Sequence, residues 1–254
     1  MEARKQAALE ALTNPRSVAV IGASHEEKSV GYVVLKSLVR GGVMRSEGGI
    51  PFPGEVYAVN PNAKEILGKK CHARIQDIDA QIDMAVICVP AKIVPKVLLD
   101  CAEKGVKAAV IVSAGFAETG EAGRKLQEEV VEIAKQGGIG VLGPNVLGII
   151  RPSARLNASF ALASPVKGKI AFVSQSGALA DSIVDWALEA RYGFSLLASL
   201  GNAADLDAAD LLEFCLQDGE TKAVALYLEG LQDGKRFMEV ARKTARKKPI
   251  VLLK

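Results

Sequence analysis

Ser17-Val18-Ala19-Val20-Ile21-Gly22-Ala23-Ser24 is the stretch from which the fold is predicted, an apolar run that ends in a corner of small residues. An unbroken apolar run of this length is typical of a strand buried on both faces, as in a parallel sheet. A helix is predicted next, opened by Gly31 and continuing through Val33–Arg40. A buried strand followed by a corner and a helix is the first half of a β-α-β unit, so we expect an α/β fold.

The alternation of apolar runs and helix-like segments continues along the chain. Further strands are predicted at Glu55–Asn60, Met84–Val89, Ala108–Val112, Ile139–Leu142, Lys169–Val173, Leu196–Leu200, Ala223–Leu228 and Pro249–Leu253. Helices are predicted at Val94–Lys104, Glu121–Gln136, Ala178–Ala190, Ala208–Gln217 and Lys235–Arg246. This order indicates parallel sheets with crossover helices.

One less regular stretch, at about Ile150–Lys167, interrupts the alternation and is rich in Ser and Pro. Such punctuation is typical of a connection between domains, so we predict one domain at 1–150 and a second at 151–254. The chain ends on an apolar strand. Because a parallel strand normally needs a covering helix, we expect the second domain to be incomplete at its C-terminus.

The composition excludes several classes of protein. The chain is 49% hydrophobic, 24% charged and only 5% aromatic, with a net charge of +3, which is too small to indicate a nucleic-acid partner. No apolar stretch reaches the roughly 20 residues needed to cross a bilayer, and the first dozen residues read as a polar helix rather than a signal peptide. The four cysteines have neither metal-ligand spacing nor the density of a disulfide framework. We therefore expect a cytoplasmic protein with no metal site and no membrane contact.

The corners after the first two strands are candidate ligand sites, because ligands of parallel sheets bind outside the carboxyl ends of the strands. Small residues at Gly22-Ala23-Ser24 would let backbone N–H groups approach a phosphate, although they equally suit a simple tight turn. After the second strand, Asn60 and Lys64 stand where an NAD enzyme usually has an acidic residue. This favours a more phosphorylated ligand, and coenzyme A with its 3′-phosphate fits; an Asn-Pro turn with an exposed lysine is the alternative.

Two later corners of the first domain are apolar or small. They are Val89-Pro90-Ala91 and Ser113-Ala114-Gly115-Phe116, and both would suit an extended pantetheine arm. In the second domain Ser174-Gln175-Ser176-Gly177 places hydroxyl and amide groups at a strand-to-helix turn, which favours a phosphate site. The alternative is an ordinary N-cap serine, which explains one of the four residues. Glu229 ends a later strand, where its carboxylate would orient an imidazole or simply lie on the surface.

Taken together, these corners resemble the α-subunit family of succinyl-CoA synthetase and, more closely, ADP-forming acetyl-CoA and acyl-CoA synthetases. The matching stretches keep the order of the family and spread over nearly the whole chain. They are Ile21-Gly22-Ala23-Ser24, Val59-Asn60-Pro61, Ser113-Ala114-Gly115-Phe116 with Glu118, Gly143-Pro144-Asn145, Ser174-Gln175-Ser176-Gly177, Gly201-Asn202, Tyr227-Leu228-Glu229 and Lys248-Pro249-Ile250.

The resemblance implies a Rossmann-like CoA-binding domain followed by a flavodoxin-like ligase domain. The residues that it places around coenzyme A are Gly22, Ala23, Ser24, Val30, Asn60, Pro61, Lys64, Val89, Pro90, Ser113 and Gly115. It implies that Ser174, Gln175, Ser176 and Gly177 hold the phosphate of a phosphohistidine and that Glu229 bonds the histidine ring. ATP, ADP and magnesium would bind to a separate ATP-grasp subunit or domain.

The departures from the family pattern concern the catalytic end. The only histidines are His25 and His72, both in the first domain, so we expect the phosphorylated histidine to be supplied by further polypeptide. Val146 replaces a cysteine that usually follows Gly143-Pro144-Asn145 in the family. Two alternatives stay open, a non-catalytic CoA- or acyl-CoA-binding regulatory protein and, disfavoured by the missing fingerprint, an NAD-dependent dehydrogenase.

Overall fold

Two β-sheets covered by helices form the structure, a computed structural model that describes residues 2–41, 50–161 and 163–254. The strands are β1 (Ser17–Ile21), β2 (Glu55–Val59), β3 (Glu65–Ile66), β4 (Lys69–His72), β5 (Met84–Ile87), β6 (Ala108–Ile111), β7 (Gly140–Leu142), β8 (Gly148–Arg151), β9 (Leu156–Ser159), β10 (Lys167–Ser174), β11 (Phe194–Ser199), β12 (Ala223–Tyr227) and β13 (Ile250–Leu253). The helices are α1 (Ala3–Thr13), α2 (Val30–Arg40), α3 (Val94–Glu103), α4 (Glu121–Gln136), α5 (Gly177–Glu189), α6 (Ala208–Gln217) and α7 (Gly234–Ala245). Each predicted strand and helix has a counterpart, and the α/β fold is confirmed.

The first sheet has the strand order β3-β4-β2-β1-β5-β6-β7. Its pairs are parallel except for the short β3–β4 hairpin, and β1 lies between β2 and β5. All five residues of β1 are buried, as the apolar run predicts. The chain leaves β1 first to one side and later to the other, so a topological switch point lies at the carboxyl end of β1.

The second sheet has the order β13-β12-β10-β11-β8-β9 and is mixed rather than wholly parallel. Strands β10 to β13 pair in parallel, whereas β8 runs antiparallel to both β11 and β9. The prediction of an irregular stretch at Ile150–Lys167 was wrong, because it contains β9 and the end of β8. The strand β9 was missed because two of its buried residues, Asn157 and Ser159, are polar. Their polar groups are paired: the Ser159 hydroxyl donates to Asn157 Oδ1 over 2.6 Å, and Asn157 Nδ2 donates to the Ser164 hydroxyl over 2.8 Å. Strand β8 crosses residue 150, and the division into 1–150 and 151–254 stays a prediction.

The core is shared by the two sheets. One continuous apolar cluster includes Val18 and Val20 of β1, Val173 of β10, and Leu9 and Leu12 of α1. Helix α1 therefore packs on both halves of the chain, and its buried side chains connect them. None of the helices in the described part of the chain has the length and apolar content to cross a membrane.

The backbone also joins the two halves directly. Residues 202–206, which follow β11, run beside residues 141–144 at the end of β7, with hydrogen bonds of 3.0, 3.0 and 3.1 Å. The donor and acceptor pairs are Asn202 N to Pro144 O, Ala204 N to Gly143 O, and Leu206 N to Val141 O. This contact sets the carboxyl edge of the first sheet against the carboxyl edge of the second.

Buried charges reinforce that contact from α1. The Arg4 guanidinium donates two hydrogen bonds of 2.8 and 2.7 Å to the carboxylate of Asp205 and a third, of 2.6 Å, to the Ile139 carbonyl. The ammonium of Lys5 lies 2.7 Å from both the Asp205 carbonyl and the Asp210 carboxylate. The Arg4 and Asp205 side chains are only 9% and 1% exposed, so each charge depends on its partner.

We predict that Asp205→Ala lowers the free energy of unfolding by about 3–5 kcal/mol, because it leaves the Arg4 charge buried without its partner. Urea denaturation measures the loss. The matched control is Glu121→Ala, which removes the partner of Lys125 in an ion pair that is 84% and 74% exposed, and which should change little. Equal losses in the two variants would contradict the structural role assigned to Asp205.

Candidate functional site

A groove of about 520 Å³ lies at the carboxyl ends of β1, β2 and β5, at the switch point of the first sheet. Seven predicted cofactor-binding residues line it: Gly22, Ala23, Ser24, Asn60, Pro61, Val89 and Pro90. The apolar side chains of Ile75, Ile93 and Val97 contribute to the walls. The groove has the size and mainly apolar lining of a small-molecule site.

The first corner of this groove depends on two glycines. Gly22 has a φ of +89°, and a Cβ there would lie 2.7 Å from the Cys88 carbonyl oxygen. A Cβ on Gly31 would lie 1.9 Å from the Gly22 carbonyl oxygen, so the first turn of α2 packs directly on the corner. The hydroxyl of Ser29 caps this turn by accepting from Tyr32 N over 3.2 Å. The close packing brings the N-terminus of α2, and its unpaired N–H groups, to the rim of the groove.

Two of the predicted ligand-binding side chains hold loops in place. Asn60 donates from Nδ2 to the Ala23 carbonyl over 2.7 Å, while its Oδ1 accepts from Asn62 N over 2.7 Å. The Ser113 hydroxyl donates to the Val89 carbonyl over 2.5 Å. The bond from Asn60 to Ala23 joins the corners after β2 and β1, and the bond from Ser113 to Val89 joins the corners after β6 and β5.

Four predicted residues lie outside the groove lining. Val30 is the first residue of α2 and is 37% exposed, Lys64 is exposed beside β3, and Ser113 and Gly115 lie in the loop after β6. Their contact with a ligand stays a prediction.

Two cations that line the groove, Arg74 and Lys96, were missed by sequence reasoning. Lys96 lies in the first turn of α3, which was predicted, and a helix that follows β5 presents its N-terminal turn to this edge. Arg74 follows the short strand β4, which no pattern predicted, and its Nη2 lies 3.1 Å from Asp100 Oδ1. Asp100 also lines the groove and offsets the charge of Arg74, so the lining carries one net positive charge, from Lys96.

The predicted phosphate loop after β10 is braced by its own side chains. Ser174 donates its hydroxyl to the Ser176 carbonyl over 2.8 Å and accepts from Ser176 N over 3.1 Å. Ser176 caps α5 by accepting from Leu179 N over 3.2 Å. These bonds fix the loop at the N-terminus of α5. The first N–H groups of the helix have no intrahelical partner, so this end of the helix favours an anion.

Glu229 lies beside this loop, and its predicted role in orienting a histidine ring stays a prediction. The side-chain oxygen of Gln175 accepts from Glu229 N over 2.5 Å and from Gly230 N over 3.0 Å, which joins the corners after β10 and β12. The Glu229 side chain is exposed at the edge of the sheet. A smaller groove of about 280 Å³, lined by Gln175, Asn202 and Gly230 among others, opens next to it.

A carboxylate connects the first sheet to this second site. Glu118 Oε1 accepts from Gly115 N and Phe116 N over 2.6 and 3.1 Å, and its Oε2 accepts from Asn202 Nδ2 over 2.6 Å. Asn202 also donates to Gln127 Oε1 over 2.9 Å. We call this contact the Glu118–Asn202 bridge. Both residues lie in stretches that resemble the family, but the sequence predicted no role for them, because no local pattern shows that positions 84 residues apart are in contact.

The thiol of Cys88 lines the groove, and the residue is half-buried. Burial raises the pKa of Cys88 to about 12, so the thiol keeps its proton at neutral pH and offers no nucleophilic thiolate. Within the described ranges, no group of three or more His, Cys, Asp and Glu is placed to hold a metal ion.

Comparison with protein families identifies both halves of the chain. Residues 16–152 match the family described as "CoA binding domain", and residues 167–254 match "Succinyl-CoA ligase like flavodoxin domain". The first match covers the groove and the second covers the phosphate loop.

Individual relatives agree with these families. The alpha subunit of acetate–CoA ligase (ADP-forming) I from Pyrococcus furiosus is 44% identical over 250 residues, which cover 97% of this chain and 52% of the relative. The 4-hydroxybutyrate–CoA ligase (ADP-forming) of Nitrosopumilus maritimus is 35% identical over 96% of this chain and 34% of its own length. The solved structure of dinucleotide-forming acetyl-coenzyme A synthetase 1 from Ca. Korarchaeum cryptofilum, in complex with phosphate and ADP, has a TM-score of 0.90 and 39% identity over 97% of this chain and 51% of that one. The chain thus spans about half the length, or less, of these relatives.

The Glu118–Asn202 bridge predicts a specific pH dependence of stability. Burial disfavours the Glu118 carboxylate, but hydrogen bonds from Asn202, Gly115 and Phe116 outweigh it and hold the pKa of Glu118 below its ordinary value of 4.5. Its contribution to stability is therefore present above pH 4.5 and is lost as the pH falls through the lower folded value.

We expect Glu118→Gln to lower the urea midpoint at neutral pH, with the difference from wild type shrinking as the pH falls below 4.5. The amide keeps the shape but presents a donor to groups that are themselves donors. Glu121→Gln, at an exposed position, serves as the control. A midpoint difference that stays constant from neutral to acid pH would rule out the ionised bridge.

Proposed function

This chain belongs to the CoA-binding domain family, and we propose that it is the CoA-binding and phosphate-site portion of an ADP-forming acyl-CoA synthetase. The reaction of such an enzyme is acid + CoA + ATP = acyl-CoA + ADP + phosphate. The histidine that carries the phosphoryl group and the ATP-grasp site, with its ATP, ADP and magnesium, come from additional polypeptide, as a β-type subunit or a further domain. In support, His25 lies in the loop after β1 and His72 lies in β4, so neither histidine is in the second sheet.

The observation that carries this proposal is that each sheet has a candidate ligand site at its carboxyl edge and that the two edges are in contact. The groove at the switch point of the first sheet and the open N-terminus of α5 in the second are joined by the Glu118–Asn202 bridge. A long ligand that enters the groove and runs past Ser113 towards the bridge approaches the second site with its far end. Coenzyme A has that form, with phosphates at one end and a thiol at the other.

Each edge has a distinct part in the chemistry. The corners after β1, β2 and β5 hold coenzyme A, and the loop of residues 174–177 holds a phosphoryl group. In the acyl-transfer step, the thiol sulfur forms a bond to the carbonyl carbon of an acyl phosphate while the bond from that carbon to the phosphate oxygen breaks, and the thiol proton is released. The N-terminus of α5 stabilises the departing phosphate. Glu229 orients the ring of the phosphorylated histidine by accepting a hydrogen bond.

The alternative function is a CoA- or acyl-CoA-binding regulatory protein without turnover. It is favoured by the same observation that supports a partner, namely that neither His25 nor His72 lies in the second sheet. Incubation with ATP, magnesium and a candidate ATP-grasp subunit separates the two. Release of ADP that requires both CoA and a carboxylic acid substrate supports the ligase. Binding of CoA with no turnover supports the regulatory protein.

For the CoA site we predict that cations act on different parts of the ligand. By calorimetry, Arg74→Ala and Lys96→Ala should each weaken CoA and 3′-dephospho-CoA about 5-fold, because these groove residues face the part that both ligands share. Lys64→Ala, outside the groove lining, should weaken CoA about 5-fold and 3′-dephospho-CoA little.

The control for these variants is Lys125→Ala on α4. It removes an exposed cation that does not line the groove, so both affinities should stay unchanged. Equal weakening of both ligands by Lys64→Ala would remove Lys64 from the 3′-phosphate contact. A folded wild-type chain that binds no CoA at millimolar concentration would contradict the proposed function.

A further inference from the structure

The second sheet contains a buried hydroxyl for which the fold provides no partner. Ser199 is the last residue of β11 and is 0% exposed, and its Oγ has no hydrogen-bond partner among the described residues. Leaving such a hydroxyl unpaired in the interior lowers stability, so its position calls for a physical reason. Its counterpart in the same strand, Ser195, is equally buried but bonds Thr221 Oγ1 over 2.8 Å.

The unpaired hydroxyl faces the start of α5. Ser199 is aligned with Ser174 in the β10–β11 pair, so both side chains lie on the face that α5 covers. The place that a Cβ of Gly177 would occupy lies 3.9 Å from Ser199 Oγ and 3.6 Å from Leu147 N. Room for about one atom of the size of a carbon therefore remains beside the first residue of α5, bordered by the Ser199 hydroxyl and by Leu147.

Three polar side-chain atoms of the loop already have partners within the protein. The proton of the Ser174 hydroxyl goes to the Ser176 carbonyl, and the oxygen of Ser176 accepts from Leu179 N. The side-chain oxygen of Gln175 accepts from the corner after β12. Ser199 is thus a buried donor close to the helix N-terminus whose proton is still available.

We propose that Ser199 is a ligand of a phosphoryl group held at the N-terminus of α5, which it binds by donating its hydroxyl proton to a phosphoryl oxygen beside Gly177. The inference rests on the proposed function and adds a binding residue to its phosphate site. Phosphoryl oxygens accept hydrogen bonds and carry negative charge, which matches a free O–H donor next to unpaired helix N–H groups. Gly177 leaves the space open because it has no Cβ.

Titration calorimetry of the whole chain with orthophosphate, and separately with acetyl phosphate, tests this role. Ser199→Ala should weaken both about 10- to 100-fold, as expected for a lost hydrogen bond to a charged group, and should leave CoA affinity unchanged. It should not lower the urea midpoint, because it removes an unpaired buried hydroxyl. Weakening of orthophosphate alone or of acetyl phosphate alone also supports the role and identifies the form in which the phosphoryl group arrives.

Two further variants separate binding from folding. Ser195→Ala should lower the urea midpoint, because Thr221 loses its partner, and should leave phosphate affinity unchanged. Gly177→Ala should fold, since its new Cβ meets only ordinary contacts at 3.6, 3.7 and 3.9 Å, yet should weaken phosphate by filling the space.

Equal phosphate affinity in wild type and Ser199→Ala would overturn the inference, and so would a wild-type chain that binds CoA but no phosphate; both results leave the CoA part of the proposed function standing. A folded wild type that binds neither ligand overturns the inference and the proposed function together. If Ser199→Ala loses its fold, Gly177→Ala decides, and wild-type phosphate affinity in that variant would overturn the inference.

Discussion

The contact between residues 202–206 and residues 141–144 is the constraint on which the rest of the structure depends. Three backbone hydrogen bonds, the Arg4–Asp205 ion pair and the Glu118–Asn202 bridge all hold the carboxyl edge of the first sheet against that of the second. Parallel strands place their following corners at one edge, so this contact joins the two edges that carry the candidate ligand corners. Without this contact the groove and the phosphate loop would be separate sites on separate sheets.

Much of the fold follows from the sequence because its signals are local. The apolar run Ser17–Ile21, the small corner after it and the repeated alternation predict the parallel strands, their helices and the edge at which ligands bind. The β8–β9 hairpin could not be predicted, since Asn157 and Ser159 are polar, and their side chains are buried with hydrogen bonds to each other and to Ser164 and Ala161. Short antiparallel strands of mixed polarity carry little periodic signal.

The candidate site was predicted in part, for a related reason. Corners such as Gly22-Ala23-Ser24 and residues 174–177 are recognisable because their small or hydroxyl residues are adjacent in sequence. Arg74, Lys96 and the Glu118–Asn202 bridge depend on residues brought together from distant positions. Several side chains that were predicted to contact a ligand form hydrogen bonds within or between loops. Among them are Asn60, Ser113 and Ser174. These side chains shape the corners, and in the proposed CoA complex the ligand meets mainly backbone N–H groups.

The central claim is that one chain binds coenzyme A across the switch point of its first sheet and extends it towards the second. A titration of the isotope-labelled chain with CoA, followed through its backbone amide resonances, tests this most directly. We expect saturable shifts at the amides of Gly22, Asn62 and Val89, and a smaller shift at Asn202 across the bridge. A well-dispersed spectrum that does not change at millimolar CoA would contradict the account.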